Sequence, residues 1–233
     1  MPTPQTEPVA ASKAKAHIRY KTADGTRVPG VTTVLGVLAK PALVKWANNL
    51  GLQGIDSTRY VDVLAGVGTL AHALIHGHLT SRDVDTEGYS QQDIDLAENA
   101  FLSYLEWEKS HTLETLLAEA PLVSESHRFG GTVDWFGLLD GVPTVVDFKS
   151  GRAIYDDHVY QLAAYWNLIM ASHSIVARGR ILQVGRTEDE GFSERVITEP
   201  GLYWNVFEYC LMLYRLQQDI QREKRREKKE CRH

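Results

Sequence analysis

Three residues in the middle of the chain have the types and spacing to work on a phosphodiester: Asp134, Asp147 and Lys149. Two short β-rich segments, 131–139 and 144–148, are separated by turn signals at Asp140-Gly141 and Val142-Pro143. A hairpin there sets the two strands side by side and brings Asp134, near the end of the first, up to Asp147 on the second. Side chains alternate along a strand, so Asp147 and Lys149 share one face while Phe148 points into the core. Two carboxylates can hold Mg²⁺ or Mn²⁺ through hard oxygen donors. A cation there polarises a phosphoryl oxygen and acidifies a water, and an ammonium orients that water or neutralises the phosphate. Taken alone, the trio also fits a turn aspartate beside a strand-edge ion pair.

Other polar residues flank this patch in an ordered way. Gly68-Thr69-Leu70-Ala71-His72 puts an imidazole on a helix upstream, and Gln161 and Tyr165 stand four apart on a helix downstream, hence on one face. His72 read alone is a half-buried helix histidine, and the Gln161–Tyr165 pair could be core and cap residues. His72 and His76 have the spacing of a zinc protease helix, but Ala73 occupies the position where that site needs its glutamate base. That chemistry is excluded. His76, His78, His111 and His127 are expected on the surface.

Elements of two periods must position these groups. Asp24-Gly25 predicts a hairpin turn within 17–34. A helix is expected from Val31 through Leu38, capped by Thr32 or Thr33. Pro41 then opens a second helix with Leu43, Trp46, Ala47 and Leu50 on its apolar face and Gly51 as its stop. Residues 57–79 read as helical with a close approach or break at Gly66-Val67-Gly68, residues 80–90 as a loop, and 93–109 as an amphipathic helix with Leu96, Ala100, Leu102, Tyr104 and Leu105 apolar. Strands follow over 116–124, 131–139 and 144–148, then a helix over 155–172, strands over 175–184 and 194–197, and a last helix over 201–221. This order predicts an α/β core with a helical N-terminal elaboration. The domain reading is a disordered leader at 1–16, one domain at 17–221 (hairpin and helices 17–110, sheet core 111–200, C-terminal helix 201–221) and a charged tail at 222–233.

Composition narrows the classes. The chain has 233 residues, 43% of them hydrophobic and 24% charged, as expected of one globular domain. No apolar run is long enough to span a bilayer, and the first residues lack the apolar centre of a secretory signal, so a cytoplasmic location is expected. Two cysteines, Cys210 and Cys231, cannot by themselves ligate an iron–sulfur cluster or a structural zinc; Cys210 reads as core. The net charge of −5 does not announce a nucleic-acid binder, although phosphate contacts need only a local basic strip. The tail carries Arg222, Lys224, Arg225, Arg226, Lys228, Lys229 and Arg232 against three glutamates; it reads as a solvated helix end, with a DNA-contacting arm as the alternative. The five tryptophans are expected in the core, while an exposed aromatic near a cleft could stack on a base.

In order, GxxxH, GGTVD, DFKS and QxxxY resemble the PD-(D/E)xK nuclease superfamily, in particular its RecB-like branch, which includes CRISPR adaptation nucleases and phage exonucleases. The resemblance covers residues 66–166, with a softer likeness over Val28 to Ala47. It implies a restriction-endonuclease-like core, a central mixed β-sheet flanked by helices. His72, Asp134 and Asp147 become metal ligands with the backbone carbonyl of Phe148, Lys149 the catalytic lysine, and Gln161 and Tyr165 positioning or DNA-contacting residues. Glu119 matches a further acidic position, for which Glu125 competes. The resemblance implies a cofactor of one or two Mg²⁺ or Mn²⁺ ions and a DNA substrate with free ends. With too few cysteines for an iron–sulfur cluster, it points to a compact phage-type exonuclease of recombination or repair, working in the host cytoplasm if phage-encoded. A helicase or single-strand annealing protein is an implied partner, and oligomerisation is open. The alternatives are a structure-specific endonuclease and a non-catalytic DNA-binding module.

Overall fold

A computed structural model describes residues 9–10, 18–173 and 178–230. In chain order the elements are β1 (Val9–Ala10), α1 (Val31–Leu35), α2 (Pro41–Leu52), α3 (Ser57–Thr80), β2 (Val84–Asp85), α4 (Gln91–Glu108), β3 (Leu113–Ser124), β4 (Phe129–Leu139), β5 (Val142–Lys149), α5 (Asp156–His173), β6 (Arg178–Val184), β7 (Phe192–Ile197) and α6 (Gly201–Glu230). The fold is α/β, as the change of period implies: β3 to β7 form a mixed five-stranded sheet in sequential order, flanked by helices. Neighbours are antiparallel except β5 and β6, which run parallel. A parallel pair needs a crossover, and α5 supplies it.

The sheet is covered on both faces. On one, Leu70 and Ile75 of α3 and Tyr104 and Trp107 of α4 bury against Trp135, Phe148 and Leu182. On the other, Val34 of α1, Leu162 and Ile169 of α5 and Phe207 of α6 bury against Phe129, Phe136 and Val145. Each such side chain contributes about 1.5–3 kcal/mol by leaving water, so the sheet is clamped from both sides. Local signals set the helix ends. The Asp56 carboxylate accepts the first free amides of α3, from Thr58 and Arg59. Ser90 and Asp93 form a reciprocal capping box at α4.

Several sequence expectations are corrected. The N-cap of α1 is Gly30, with Thr32 and Thr33 inside a helix that ends at Leu35. The expected apolar face of α2 is only partly covered: Trp46 meets Tyr60 of α3 with ring centroids 5.9 Å apart, but no residue of the helix is buried and Leu43 is exposed. It runs through Gly51 to Leu52 because a glycine without a left-handed conformation does not end a helix. Neither does Gly66-Val67-Gly68 break α3. Leu102 of α4 is exposed, and Trp107 takes the core position. Val142-Pro143 lies in β5, so the turn is Asp140-Gly141 alone, both at positive φ. The strand expected from 175 begins at Arg178, with 174–177 outside the described residues. Within the stretch expected as a loop, Val84–Asp85 pairs with Val9–Ala10 of the leader; the rest of that leader lies outside the described residues. The final helix continues nine residues past Gln221, to Glu230, so most of the charged tail is helical and exposed. Among the described residues no helix is long and apolar enough to cross a membrane.

Candidate metal centre

Each predicted site residue has a definite place. Trp135 pairs with Val146 across β4 and β5, and one further step in that register sets Asp134 opposite Asp147. Asp134 Oδ2 accepts the amide of Phe148 at 2.9 Å. That bond ties the end of β5 to β4. Its other oxygen, Oδ1, lies 3.6 Å from Nδ1 of His72, which comes in from α3. Glu119 of β3 places Oε1 at the same 3.6 Å from that nitrogen. The donor atoms of His72, Glu119 and Asp134 all lie within 4.8 Å of one another. Asp147 stands outside this trio with its carboxylate against Lys149, Nζ to Oδ2 at 2.5 Å. Lys149 is the more exposed partner, and Asp147 is fully buried.

Glu119, and not Glu125, reaches this cluster. Glu125 instead accepts the backbone amide of Ala23 at 2.8 Å, away from the trio. The β3–β4 register slips by one residue between Thr115 and Leu117, and Glu119 adopts φ of 48° inside a strand. A non-glycine residue in the left-handed region costs about 1–2 kcal/mol. The strain accompanies a carboxylate aimed at the cluster.

The electrostatics are those of a site built to share charge. Burial alone would pull the imidazole of His72 down, but Asp134 and Glu119 outweigh it and raise the group to about 9. Burial raises the carboxyl of Asp147, the charge of Lys149 opposes that rise, and Asp134 adds to it. Nδ1 of His72 and Oδ1 of Asp147 make no hydrogen bond among the described residues although both are buried. A buried polar atom without a partner is costly, and a bound ion or water is the usual resolution. Two carboxylates and an imidazole fit a divalent cation; hard oxygen donors suit Mg²⁺ and Mn²⁺, and a nitrogen donor shifts the balance toward Mn²⁺.

The four motifs acquire physical reasons here. A Cβ on Gly68 would lie 2.9 Å from Oγ of Ser150, so this glycine lets α3 close on the turn after Lys149 and carry His72 in. The glycine pair before Asp134 serves two tyrosines. A Cβ on Gly130 would strike the ring of Tyr20, and one on Gly131 would sit 2.7 Å from that of Tyr165. Gln161 donates to the hydroxyl of Tyr165 at 2.8 Å, and burial holds that phenol well above its ordinary range.

These groups open into a cleft of about 600 Å³, lined by His72, Glu119, Asp134, Lys149, Gln161 and Tyr165. Its opposite wall was not foreseen. Arg19, Tyr20 and Arg27 of the N-terminal hairpin and Thr32 and Thr33 of α1 face the same space, with the hydroxyl of Tyr20 2.9 Å from Oγ1 of Thr132. The signal for that wall was the glycine pair, whose partners no local pattern reveals. Outside the cleft lining, burial first and then the charge of Lys149 push His158 of α5 down to about 4. Of the histidines expected on the surface, His78 is exposed; His76, His111 and His127 are half-buried, and His111 meets Asp140 at 2.7 Å. Cys210 is buried, and Trp107, Trp135 and Trp166 lie in the core.

No protein-family model matches the chain, and no curated protein does. Among solved structures, the alkaline exonuclease LHK-Exo from Laribacter hongkongensis aligns with a TM-score of 0.43 at 14% identity, covering 86% of this chain and 93% of that one. LHK-Exo in complex with dAMP aligns with a TM-score of 0.39 at 15% identity, covering 69% and 84%. At these scores, any functional reading has to come from the chain's own side chains.

Proposed function

We propose that this chain is a divalent-metal-dependent DNA nuclease that hydrolyses phosphodiester bonds at free DNA ends, in the manner of a phage-type exonuclease of recombination or repair. The observation that carries the reading is the convergence, in one cleft, of His72, Glu119 and Asp134 within shared-ligand distance, beside the Asp147–Lys149 pair. His72, Glu119 and Asp134 would hold the cation, with Asp147 and the carbonyl of Phe148 adjoining. A bound cation supplies Lewis acidity and neutralises phosphate charge. The chain's own groups do the rest. Lys149, anchored by Asp147 at 2.5 Å, offers its ammonium to a non-bridging phosphate oxygen, where charge develops in the transition state. Gln161 and Tyr165 hold one another at the cleft wall and fix where the substrate lies against Lys149. Arg19 and Arg27, exposed on the facing wall, attract the flanking phosphates.

Incubation of purified protein with end-labelled linear and closed circular DNA tests this directly. Linear DNA should be degraded with Mn²⁺ or Mg²⁺, chelator should stop it, and Asp134→Asn should lose at least about a hundredfold in rate. Full activity of Asp134→Asn after rigorous repurification would sink the nuclease reading. Equal digestion of circular DNA would replace the exonuclease with an endonuclease.

A further inference from the structure

Beside the metal cleft lies a second groove, of about 420 Å³, between the N-terminal hairpin and α6. Arg27, Val28 and Pro29 line both, so the two spaces meet along one stretch of chain. Four guanidiniums, from Arg27, Arg128, Arg215 and Arg222, share the groove with Tyr214 and a single carboxylate, Asp219. In a chain of net charge −5 this is a local inversion of sign. The cations are weakly committed. Arg128 meets Asp24 at 3.4 Å and Arg222 meets Asp219 at 3.0 Å, both exposed pairs of the kind that stabilise little. Arg215 donates to the carbonyls of His127 and Arg128, which orient it without cancelling its charge. No ion pair engages Arg27 among the described residues.

We infer that this groove binds the phosphate backbone of a single DNA strand and continues the substrate's path away from the metal cleft. Guanidiniums bind phosphate bidentately through charge-assisted hydrogen bonds, while an exposed carboxylate partner holds them only weakly. Tyr214, half-buried among them, is the aromatic surface on which a base stacks; basic side chains interleaved with an aromatic are how proteins hold an unpaired strand without reading its sequence. A groove of this volume receives about a nucleotide or two of a strand. The strand's direction relative to the metal cleft rests on the nuclease reading, whereas occupation of the groove does not.

The test is fluorescence anisotropy with labelled oligo(dT) in EDTA, so that nothing is cleaved, across a series of salt concentrations. An unpaired strand loses affinity with a slope of about 0.7 in log K per log salt for each phosphate neutralised. The double variant Arg128→Gln/Arg222→Gln should flatten the wild-type slope by about 1.4 and weaken binding about tenfold or more at moderate salt. Tyr214→Ala should weaken binding by about fivefold or more while leaving the slope unchanged. The Mn²⁺ affinity and melting temperature of the double variant should match the wild type, which separates loss of the groove from loss of the fold. Lys224→Gln/Lys228→Gln, on the exposed end of α6 outside the groove, should alter the slope less than the arginine pair. Equal slopes in wild type and arginine variant would overturn the inference, as would tighter binding of a duplex of the same length. If the slope flattens but no metal supports cleavage, the groove stands and the nuclease reading falls. If DNA is cleaved but the slope does not move, the groove falls alone.

Discussion

His72 makes the coupling between proton and metal measurable. Its imidazole lies 3.6 Å from both Asp134 and Glu119 and is held at about 9 in the metal-free protein. A metal ligand must offer a lone pair, so binding through Nδ1 has to expel the proton. Between pH 9 and pH 7 the apparent Mn²⁺ affinity should therefore fall about fiftyfold, approaching tenfold per unit only at the lower end, equivalent to about 2 kcal/mol. Isothermal titration at pH 7 in buffers of different ionisation enthalpy should report release of about one proton per ion. Folding stability supplies a second arm with its own sign. His72 is raised in the folded state above its ordinary value of 6.5. Its contribution is thus fully present below pH 6.5 and lost as pH rises through about 9. Without metal, the melting temperature of the wild type should fall across that window by more than that of His72→Gln. With saturating Mn²⁺, the fall should disappear. An Mn²⁺ affinity independent of pH from 7 to 9, or proton release that survives in His72→Gln, would refute the assignment of His72 as a ligand.

Other perturbations test neighbouring parts of the site. Lys149→Met removes the cation 2.5 Å from buried Asp147; the carboxyl of Asp147 should rise further, DNA cleavage should be lost, and metal-free stability, read by chemical denaturation, should fall by about 3 kcal/mol or more above pH 6. In the wild type, Asp147 is raised to about 6 from 3.8, so its charging destabilises the metal-free fold as pH climbs through that interval, the opposite of an ordinary salt-bridged aspartate. Gly131→Ala would push a methyl against Tyr165 and Val31; overpacking of this kind costs about 1–3 kcal/mol, visible as a lower melting temperature. Phe207→Ala on α6 empties a fully buried site and should cost about 3–5 kcal/mol in denaturant titration, which would show that α6 is integral to the domain.

How much of this was legible beforehand follows from the range of each physical signal. Strand alternation operates over two residues and helix periodicity over four, so the shared face of Asp147 and Lys149 and the Gln161–Tyr165 pair could be read from spacing alone. The Asp24-Gly25 and Asp140-Gly141 turns were legible for the same reason, since the backbone conformation at a turn belongs to the residues in it. The sequence by itself thus determined the α/β order of elements, the residues that could ligate, and the face each occupies on its own element. Tertiary structure decided which of those faces meet. It selected Glu119, which reaches His72 from within β3 at a strained φ that no local preference favours, over Glu125, which lies beyond the end of that strand. It set Asp147 against Lys149, and it brought a hairpin more than a hundred residues away over Gly130 to form the second wall of the cleft. It also left α2 without a buried face despite its apolar stripe, because a stripe buries only where another element arrives to cover it. Contacts between distant elements depend on the packing of the whole sheet and its two helical layers, which no short window of residues contains.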